Sequence, residues 1–426
     1  MNILMMTNTY LPHVGGVAQS VHRFAEAYQR KGHETLVVAP EFPGAEESED
    51  MVVRVPAVQN FNGSDFSVMV PVPFYLTSSL NKFSPDVIHS HHPFLLGSTA
   101  LRVAAIRDAP LVFTHHTMYE HYTHYVPLEA KNLKKFVIQL CTAYANHCDQ
   151  VIAPSKSVRD VLKKRGVKTP VTVIPTGVDF EAFSEGDGAR ARKEHGLDAE
   201  CYVVGHVGRL APEKNLEFLA GAVAPFLSKQ KNAHFLVAGE GPSKEAMAKI
   251  FDEAGVSARV HFAGRLADQA LIDFYHAMDV FVFASKTETQ GMVLVEAMAA
   301  GTPVLALEAS GVTDVLDHRQ NGWMVREETT EAFVEGLNWL VNQDDAKRRF
   351  LSRNARETGE VFSTEHCAQK ALKVYDKALR RHRRSVESDA HEWTSLLKAL
   401  EEEWVLWRDR IAAAAAMLQS EQDEQS

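Results

Sequence analysis

The sequence predicts a doubly wound α/β architecture in two successive halves, and three observations carry that expectation. Short apolar runs alternate with helical patterns along most of the 426 residues, the signature of βαβ units whose parallel strands are covered on both faces. The alternation breaks once, at Pro175-Thr176-Gly177-Val178-Asp179 and the polar stretch Ser184–Glu194, and resumes at Tyr202, so this stretch reads as an interdomain linker. The length, with 45% hydrophobic and 23% charged side chains, is more than one core usually holds.

In the first half, strands are expected near Ile3–Met6, Thr35–Ala39, Asp86–His89, Leu111–Phe113, Val151–Ala153 and Val171–Ile174, with helices such as Val17–Arg30 and Leu128–His147 between them. The second series has strands near Tyr202–His206, Phe235–Ala238, Val260–Phe262, Val280–Ala284 and Val304–Leu307. Two such halves facing one another would place their strand C-termini, and the ligand crevice, in a cleft between them. Helical patterns then run from about Thr330 to the basic cluster Arg380-Arg381-His382-Arg383-Arg384. Beyond it, Trp393, Leu397, Leu400, Trp404, Trp407 and Ile411 alternate spacings of four and three, a heptad-like stripe on an extra C-terminal helix. The stripe reads first as a face packed on the protein's own surface, with a homodimer contact and a membrane-surface helix sharing the second place and Glu401-Glu402-Glu403 opposing the last.

A formal net charge of −10 argues against a nucleic-acid partner. Residues 1–180 hold 16 Lys+Arg against 15 Asp+Glu, leaving 29 against 40 for the rest, so the first half is free to approach an anionic surface. Cys141, Cys148, Cys201 and Cys367 lack Cys-x-x-Cys spacing, which fits reduced thiols in a cytoplasmic protein. The start Met1–Met6 is too short and uncharged for a signal peptide, and no run reaches the roughly 18 apolar residues that span a bilayer. The expectation is a cytoplasmic protein, soluble or peripheral on the inner face of the cell membrane.

Three motifs carry chemistry. The first βα turn ends in Gly15-Gly16, where glycine lets backbone N–H groups approach an anion at a helix N-terminus, although alone it is equally a plain flexible turn. Arg209 and Lys214, five residues apart on the loop Gly208–Asn215, can neutralise a diphosphate leaving group; the plainer alternative is a solvated loop with one salt bridge to Glu213. After the strand at Val280–Ala284, Gly291 would open a helix, with Glu288 on the preceding loop and Glu296 about one turn inside. Two carboxylates so placed can hold two diols, Glu288 the sugar hydroxyls and Glu296 a ribose. A glycosidase acid/base pair is the rival, but it leaves the cationic loop without a task.

In this order and at these separations, the Gly15-Gly16 turn, the Arg209/Lys214 pair and the Glu-x7-Glu spacing of Glu288 and Glu296 resemble the retaining glycosyltransferases of the GT-B fold in the family 4 grouping, over about residues 1–380. The resemblance implies an α/β protein with a Rossmann-like acceptor domain over 1–180 and a Rossmann-like nucleotide-sugar domain over 181–365. A crossover helix over 366–385 would return to the first domain, and a helical extension would occupy 386–426. It further implies that Gly15 and Gly16 meet the donor phosphates and that Arg209 and Lys214 hold the diphosphate. Gly291 and Met292 would line the donor site, Glu296 would hold the ribose, and Glu288 the 3- and 4-hydroxyls of the donor sugar. Gln290 stands where the family usually carries an aromatic residue, so the sugar's identity is not transferred; UDP-glucose is the default donor. With no Asp-x-Asp in the chain, no metal or other cofactor is expected. The favoured reaction in such enzymes is front-face attack with the leaving phosphate taking the acceptor's proton.

Histidines cluster after two strands of the first half, as His89-Ser90-His91-His92 and within Thr114–Tyr125. A zinc site, and with it a metal-dependent hydrolase, is the alternative to a sugar-binding role. By resemblance, His116 contacts the sugar near its reactive carbon, and Thr114–Tyr125 is similar to the acceptor segment of bacterial diacylglycerol glucosyltransferases, which implies a lipid acceptor. Two basic stretches, Lys131, Lys134 and Lys135 beside Phe136-Val137-Ile138, and Lys163-Lys164-Arg165, would meet an anionic leaflet at about 1 kcal/mol per residue. A soluble sugar, polyol or polysaccharide acceptor stays open, as does a non-catalytic nucleotide-sugar sensor.

Overall fold

The computed structural model describes residues 1–13, 15–45, 51–58, 68–69, 76–119, 130–286, 288 and 290–385. The Trp-bearing stripe, with the homodimer and membrane readings attached to it, and residues 120–125 of the acceptor-like segment lie outside them. The chain divides into two compact units, one of residues 1–153, 159–174 and 370–426, the other of 154–158 and 175–369.

In the first unit, β1 (Asn2–Met6), β2 (Glu34–Pro40), β3 (Val52–Val55), β6 (Val87–Ser90), β7 (Leu111–Thr114), β8 (Gln150–Ala153) and β9 (Val171–Val173) form one seven-stranded parallel sheet in the order β3-β2-β1-β6-β7-β8-β9. A small antiparallel ribbon joins β4 (Ala57–Val58) to β5 (Val68–Met69). Ile3 to Met6 are fully buried, which explains an unbroken apolar run in place of alternation. The helix Gly16–Arg30 buries Ala18, Val21, Ala25 and Tyr28 along one face. The helix Thr364–Ser385 belongs to this unit from Lys370 on, and there Ala371, Val374, Tyr375 and Ala378 are buried.

The far end of that helix is pinned by His382, whose ring lies 3.5 Å from Asp149 and 3.2 Å from Asp108. The hydrogen bond to Asp149 leads the effects that raise its pKa above 6.5. A raised folded-state value stabilises the fold fully below the unfolded value of about 6.5, and that contribution is lost as pH rises through the folded pKa. Burial pushes His89 the other way, to about 3, so its contribution is lost as pH falls below 6.5. Thermal melts of the wild type are therefore expected to weaken on both sides of a maximum near neutrality. His382→Gln is expected to flatten only the alkaline arm; an unchanged arm in that variant would refute the pairing.

In the second unit, β10 (Tyr202–Val207), β11 (Ala233–Ala238), β12 (Val260–Gly264), β13 (Val280–Phe283), β14 (Val304–Leu307) and β15 (Gly322–Val325) form a six-stranded parallel sheet in the order β12-β11-β10-β13-β14-β15. The strands expected from apolar runs are all present, and β3, β4, β5 and β15 are additional. The polar stretch expected to be a linker is instead part of this unit. Gly188–Glu194 is a helix whose Arg190 pairs with Asp273, a side chain 4% exposed, while Arg192 reaches Asp279 at 2.9 Å and the carbonyl oxygens of Ala277, Ala199 and Cys201. The charges that make the stretch look solvated are the ones that staple it down. Strand order reverses between β1 and β6 in one sheet and between β10 and β13 in the other, and in open parallel sheets the C-terminal ends at such a reversal form the ligand crevice.

Candidate active site

In the second unit both loops at the reversal carry the residues singled out by the sequence. The loop after β10 runs over the loop after β11: Gly208 N–H donates to Ala238 O at 3.0 Å and Leu210 N–H to Glu240 O at 2.8 Å. A Cβ on Gly239, whose φ is +135°, would stand 1.8 Å from the Gly208 carbonyl oxygen, so only glycine permits this stacking. Arg209 extends outward, 67% exposed, and pairs with Glu213. Lys214 ends a 3₁₀ turn, Pro212–Lys214, and its ammonium pairs with the carboxylate of Glu288 across the reversal, the two side chains 22% and 18% exposed. Asn215 adds a second tie, donating from Nδ2 to Ala284 O at 3.3 Å and to Glu328 at 2.9 Å.

Gly291 follows in the left-handed region at φ +70° and opens the helix Met292–Ala299 without a side-chain cap, which leaves the first-turn N–H groups to other partners. Met292, partly buried, packs on the core of this unit. Glu296 lies one turn further, where its Oε2 accepts a 2.9 Å hydrogen bond from the hydroxyl of fully buried Tyr275. Gln290 is buried and grips the backbone of Thr176 twice, Oε1 accepting from its N–H at 2.7 Å and Nε2 donating to its carbonyl at 2.9 Å. An aromatic ring could form neither bond, so the departure from the family pattern has a local structural role. Beneath the loops, His206 is stacked on Phe281 and Phe283 and lies 3.0 Å from Val282 O through Nδ1. That bond requires Nδ1–H. Burial lowers its pKa to about 4, so it adds no charge near Lys214.

In the first unit the reversal brings Gly15-Gly16 and the first histidine cluster onto neighbouring strand ends. Asn8, after β1, donates its backbone N–H to His92 Nδ1 at 3.1 Å and accepts from Leu96 N–H at 3.1 Å. Arg54 on β3 steadies the turn before the glycines, donating to Leu11 O at 2.6 Å and lying 5.5 Å from the centre of the Tyr10 ring. His116 follows β7, half-buried, with Nε2 2.9 Å from Nδ1 of His91. His89, His91 and His92 are buried, and burial holds these three and His116 below the usual histidine range. Among the described residues no three His, Cys, Asp or Glu side chains stand together as a metal ion would require. The four cysteines are buried free thiols.

A methyl group on Gly16 would meet nothing within 4 Å, and its φ is not in the positive region, so neither packing nor backbone conformation in this unit requires glycine there. Gly16→Ala is expected to leave stability, read as a thermal melt, unchanged or raised by up to about 0.5 kcal/mol. The same change is expected to lower kcat/KM for the donor on the order of tenfold by keeping a phosphate off the backbone N–H. Wild-type kinetics in a well-folded variant would remove Gly16 from the site.

Tyr275 and Arg54 support site residues and were not singled out by sequence. Each sits in an ordinary amphipathic or strand context, and only the sheet order brings it to a site residue.

Two family models match the chain, Glycosyltransferase Family 4 over residues 14–182 and Glycosyl transferases group 1 over residues 187–358. Among curated proteins, the alpha-monoglucosyldiacylglycerol synthase of Acholeplasma laidlawii is 28% identical over 88% of this chain and 96% of its own length. The GDP-mannose-dependent alpha-mannosyltransferase of Corynebacterium glutamicum is 30% identical over 88% of each. Among solved structures, sucrose-phosphate synthase from Thermosynechococcus elongatus superposes with a TM-score of 0.68 at 21% identity, over 88% of this chain and 98% of its own. Anabaena HepE in complex with UDP gives 0.68 at 20%, over 88% and 100%. With its paired cationic and acidic loops at a sheet reversal, this chain belongs to the GT-B glycosyltransferases, its first half to glycosyltransferase family 4 and its second to glycosyl transferases group 1.

Proposed function

We propose that the protein transfers a hexose from a nucleotide diphosphate sugar, with UDP-glucose the leading donor, to a diacylglycerol-type lipid at the membrane surface, with retention of anomeric configuration and without a metal ion. The observation that carries the donor half is the Lys214–Glu288 pair at the reversal of the second sheet. It sets a cation for the diphosphate beside a carboxylate for the sugar hydroxyls, next to the uncapped helix that begins at Met292. Lys214 and Arg209 take the charge that develops as the diphosphate leaves, a service supplied elsewhere by a metal ion. Arg209 exchanges Glu213 for phosphate, at small cost because that pair is exposed. Glu296, oriented by Tyr275, accepts the ribose hydroxyls. In the first unit, the Gly15-Gly16 backbone meets the donor phosphates and His116 the sugar. The departing phosphate oxygen receives the acceptor's proton, so no protein base is needed.

Support for the lipid acceptor is of two kinds. A monoglucosyldiacylglycerol product is named for relatives such as the Acholeplasma laidlawii enzyme. On the helix Ala130–Asn146, exposed Lys134 and Lys135 lie beside half-exposed Phe136, Val137 and Ile138, and Lys163 and Lys164 are also exposed. That mixture of cations and apolar groups suits reversible docking on an anionic surface. No described helix is long and apolar enough to cross a membrane. A soluble acceptor on the same donor chemistry is the second reading, favoured by the D-inositol 3-phosphate glycosyltransferase of Nocardia farcinica, 29% identical over 69% of this chain and 67% of its own length.

The test is release of nucleoside diphosphate from a panel of sugar nucleotides, with and without EDTA and with and without diacylglycerol in anionic vesicles. Lipid-dependent release with one donor supports the proposal. Lipid-independent release moves the acceptor to the soluble class, loss in EDTA refutes metal independence, and silence throughout refutes turnover.

A further inference from the structure

We propose that His91 is a positioning residue that fixes the tautomer of His116, so that His116 presents Nδ1–H as a hydrogen-bond donor. The catalytic consequence rests on the reading of His116 as a donor-sugar contact; the tautomer itself does not.

The geometry leaves one proton between two nitrogens. His91 is 1% exposed, its ring centroid 4.1 Å from that of His89 and 5.2 Å from that of His116, stacked on the latter at 25°. Its Nδ1 lies 2.9 Å from His116 Nε2, and among the described residues its own Nε2 is buried without a hydrogen-bond partner. Both rings are neutral at physiological pH, because burial and the neighbouring imidazoles oppose a charge. A neutral ring carries a single proton. If His116 donated through Nε2–H, His91 would accept at Nδ1 and carry its proton on Nε2, a buried N–H with no acceptor. Stranding a buried donor costs more than leaving one lone pair bare. The proton therefore sits on His91 Nδ1 and is donated to His116 Nε2, which leaves His116 with its proton on Nδ1.

The array behind His91 keeps the ring in place. His89 lies 2.7 Å from Tyr375 Oη through Nδ1 and 2.7 Å from Thr114 Oγ1 through Nε2, and Tyr375 in turn donates to Tyr28 at 2.9 Å. With both its nitrogens occupied, His89 offers no partner to His91 Nε2. Chemically, His116 can then donate to a sugar or phosphate oxygen and cannot act as a base through Nε2, which is already accepting.

The experiment is long-range ¹H–¹⁵N correlation of the full chain labelled at histidine nitrogen, with His116 assigned by its absence in His116→Ala. The expected pattern is a protonated Nδ1 and an unprotonated Nε2 for both His91 and His116; a protonated Nε2 on His116 overturns the proposal and requires no variant at position 91. The kinetic arm compares His91→Asn, whose amide places an N–H where Nδ1 stands, with His91→Phe, which keeps the ring and removes the donor. Asn is expected to retain kcat within about threefold, and Phe to lower it about tenfold with little change in donor KM and a redistributed His116 tautomer. Equal loss in both variants with an unchanged His116 pattern also overturns it. Full turnover in His116→Ala would sink the reading of His116 as a donor contact and leave the tautomer measurement standing, so the two failures are distinguishable.

Discussion

Lys214→Ala is expected to lower kcat/KM for the nucleotide sugar by about 10²–10³-fold, the usual consequence of removing one group aimed at developing charge in a water-poor site. The melting temperature is expected to fall by only a few degrees. The asymmetry follows from where the lysine sits. Its side chain is 22% exposed and pairs with Glu288, itself 18% exposed, so alanine strands a carboxylate that water still reaches. The fold does not depend on the pair, because Asn215 independently ties the same loop to Ala284 and Glu328. Lys214→Arg keeps the charge but spreads it over a planar fork, and is expected to recover part of the loss. Unchanged donor kinetics in Lys214→Ala, measured alongside a normal melt, would refute the assignment of the diphosphate site.

Much of this site was legible in the sequence because its parts are local. A glycine pair after a strand, two cations on one loop and two carboxylates across a helix start each depend on neighbours in the chain, and they lie on the expected loops and, for Glu296, in the expected helix. The strands were legible for the same reason: fully buried parallel strands are continuous apolar runs, as in Ile3–Met6. What escaped depends on tertiary partners. Val52–Val55 contains Arg54, which reads as a surface residue until its bond to Leu11 O is seen. The stretch Ser184–Glu194 looks like a linker because nothing local reveals that Arg190 and Arg192 have Asp273 and Asp279 waiting some 80 residues away. Gln290 is similar: its difference from the family's aromatic residue is visible, but the clasp on Thr176 is not. The histidine clusters pointed in sequence to sugar, with a metal as the lesser alternative, and only the pairing of His91 with His116 gives them an order.

Glu288 supplies the second large effect, and comparing it with Lys214 separates the two halves of the donor. Glu288→Ala is expected to reduce kcat by about 10²–10³-fold, since a carboxylate that grips the sugar hydroxyls holds the reacting carbon in line only while both are in place. Glu288→Gln keeps the size and one acceptor oxygen while discarding the charge, and is expected to lose less. The donor panel carries the distinction. The diphosphate is common to every sugar nucleotide, so Lys214→Ala is expected to slow all donors by a similar factor. The 3- and 4-hydroxyls are not common in stereochemistry, so Glu288 variants are expected to change the ratio of glucosyl to galactosyl transfer as well as the rate. Because each single substitution leaves the other charge unpaired, the double variant is expected to lose less than the product of the two single losses. Strict multiplicativity would indicate that the pair seen without ligand has no part in the donor site, and a Glu288→Ala enzyme with wild-type rate and wild-type donor ratio would remove the carboxylate from the sugar altogether.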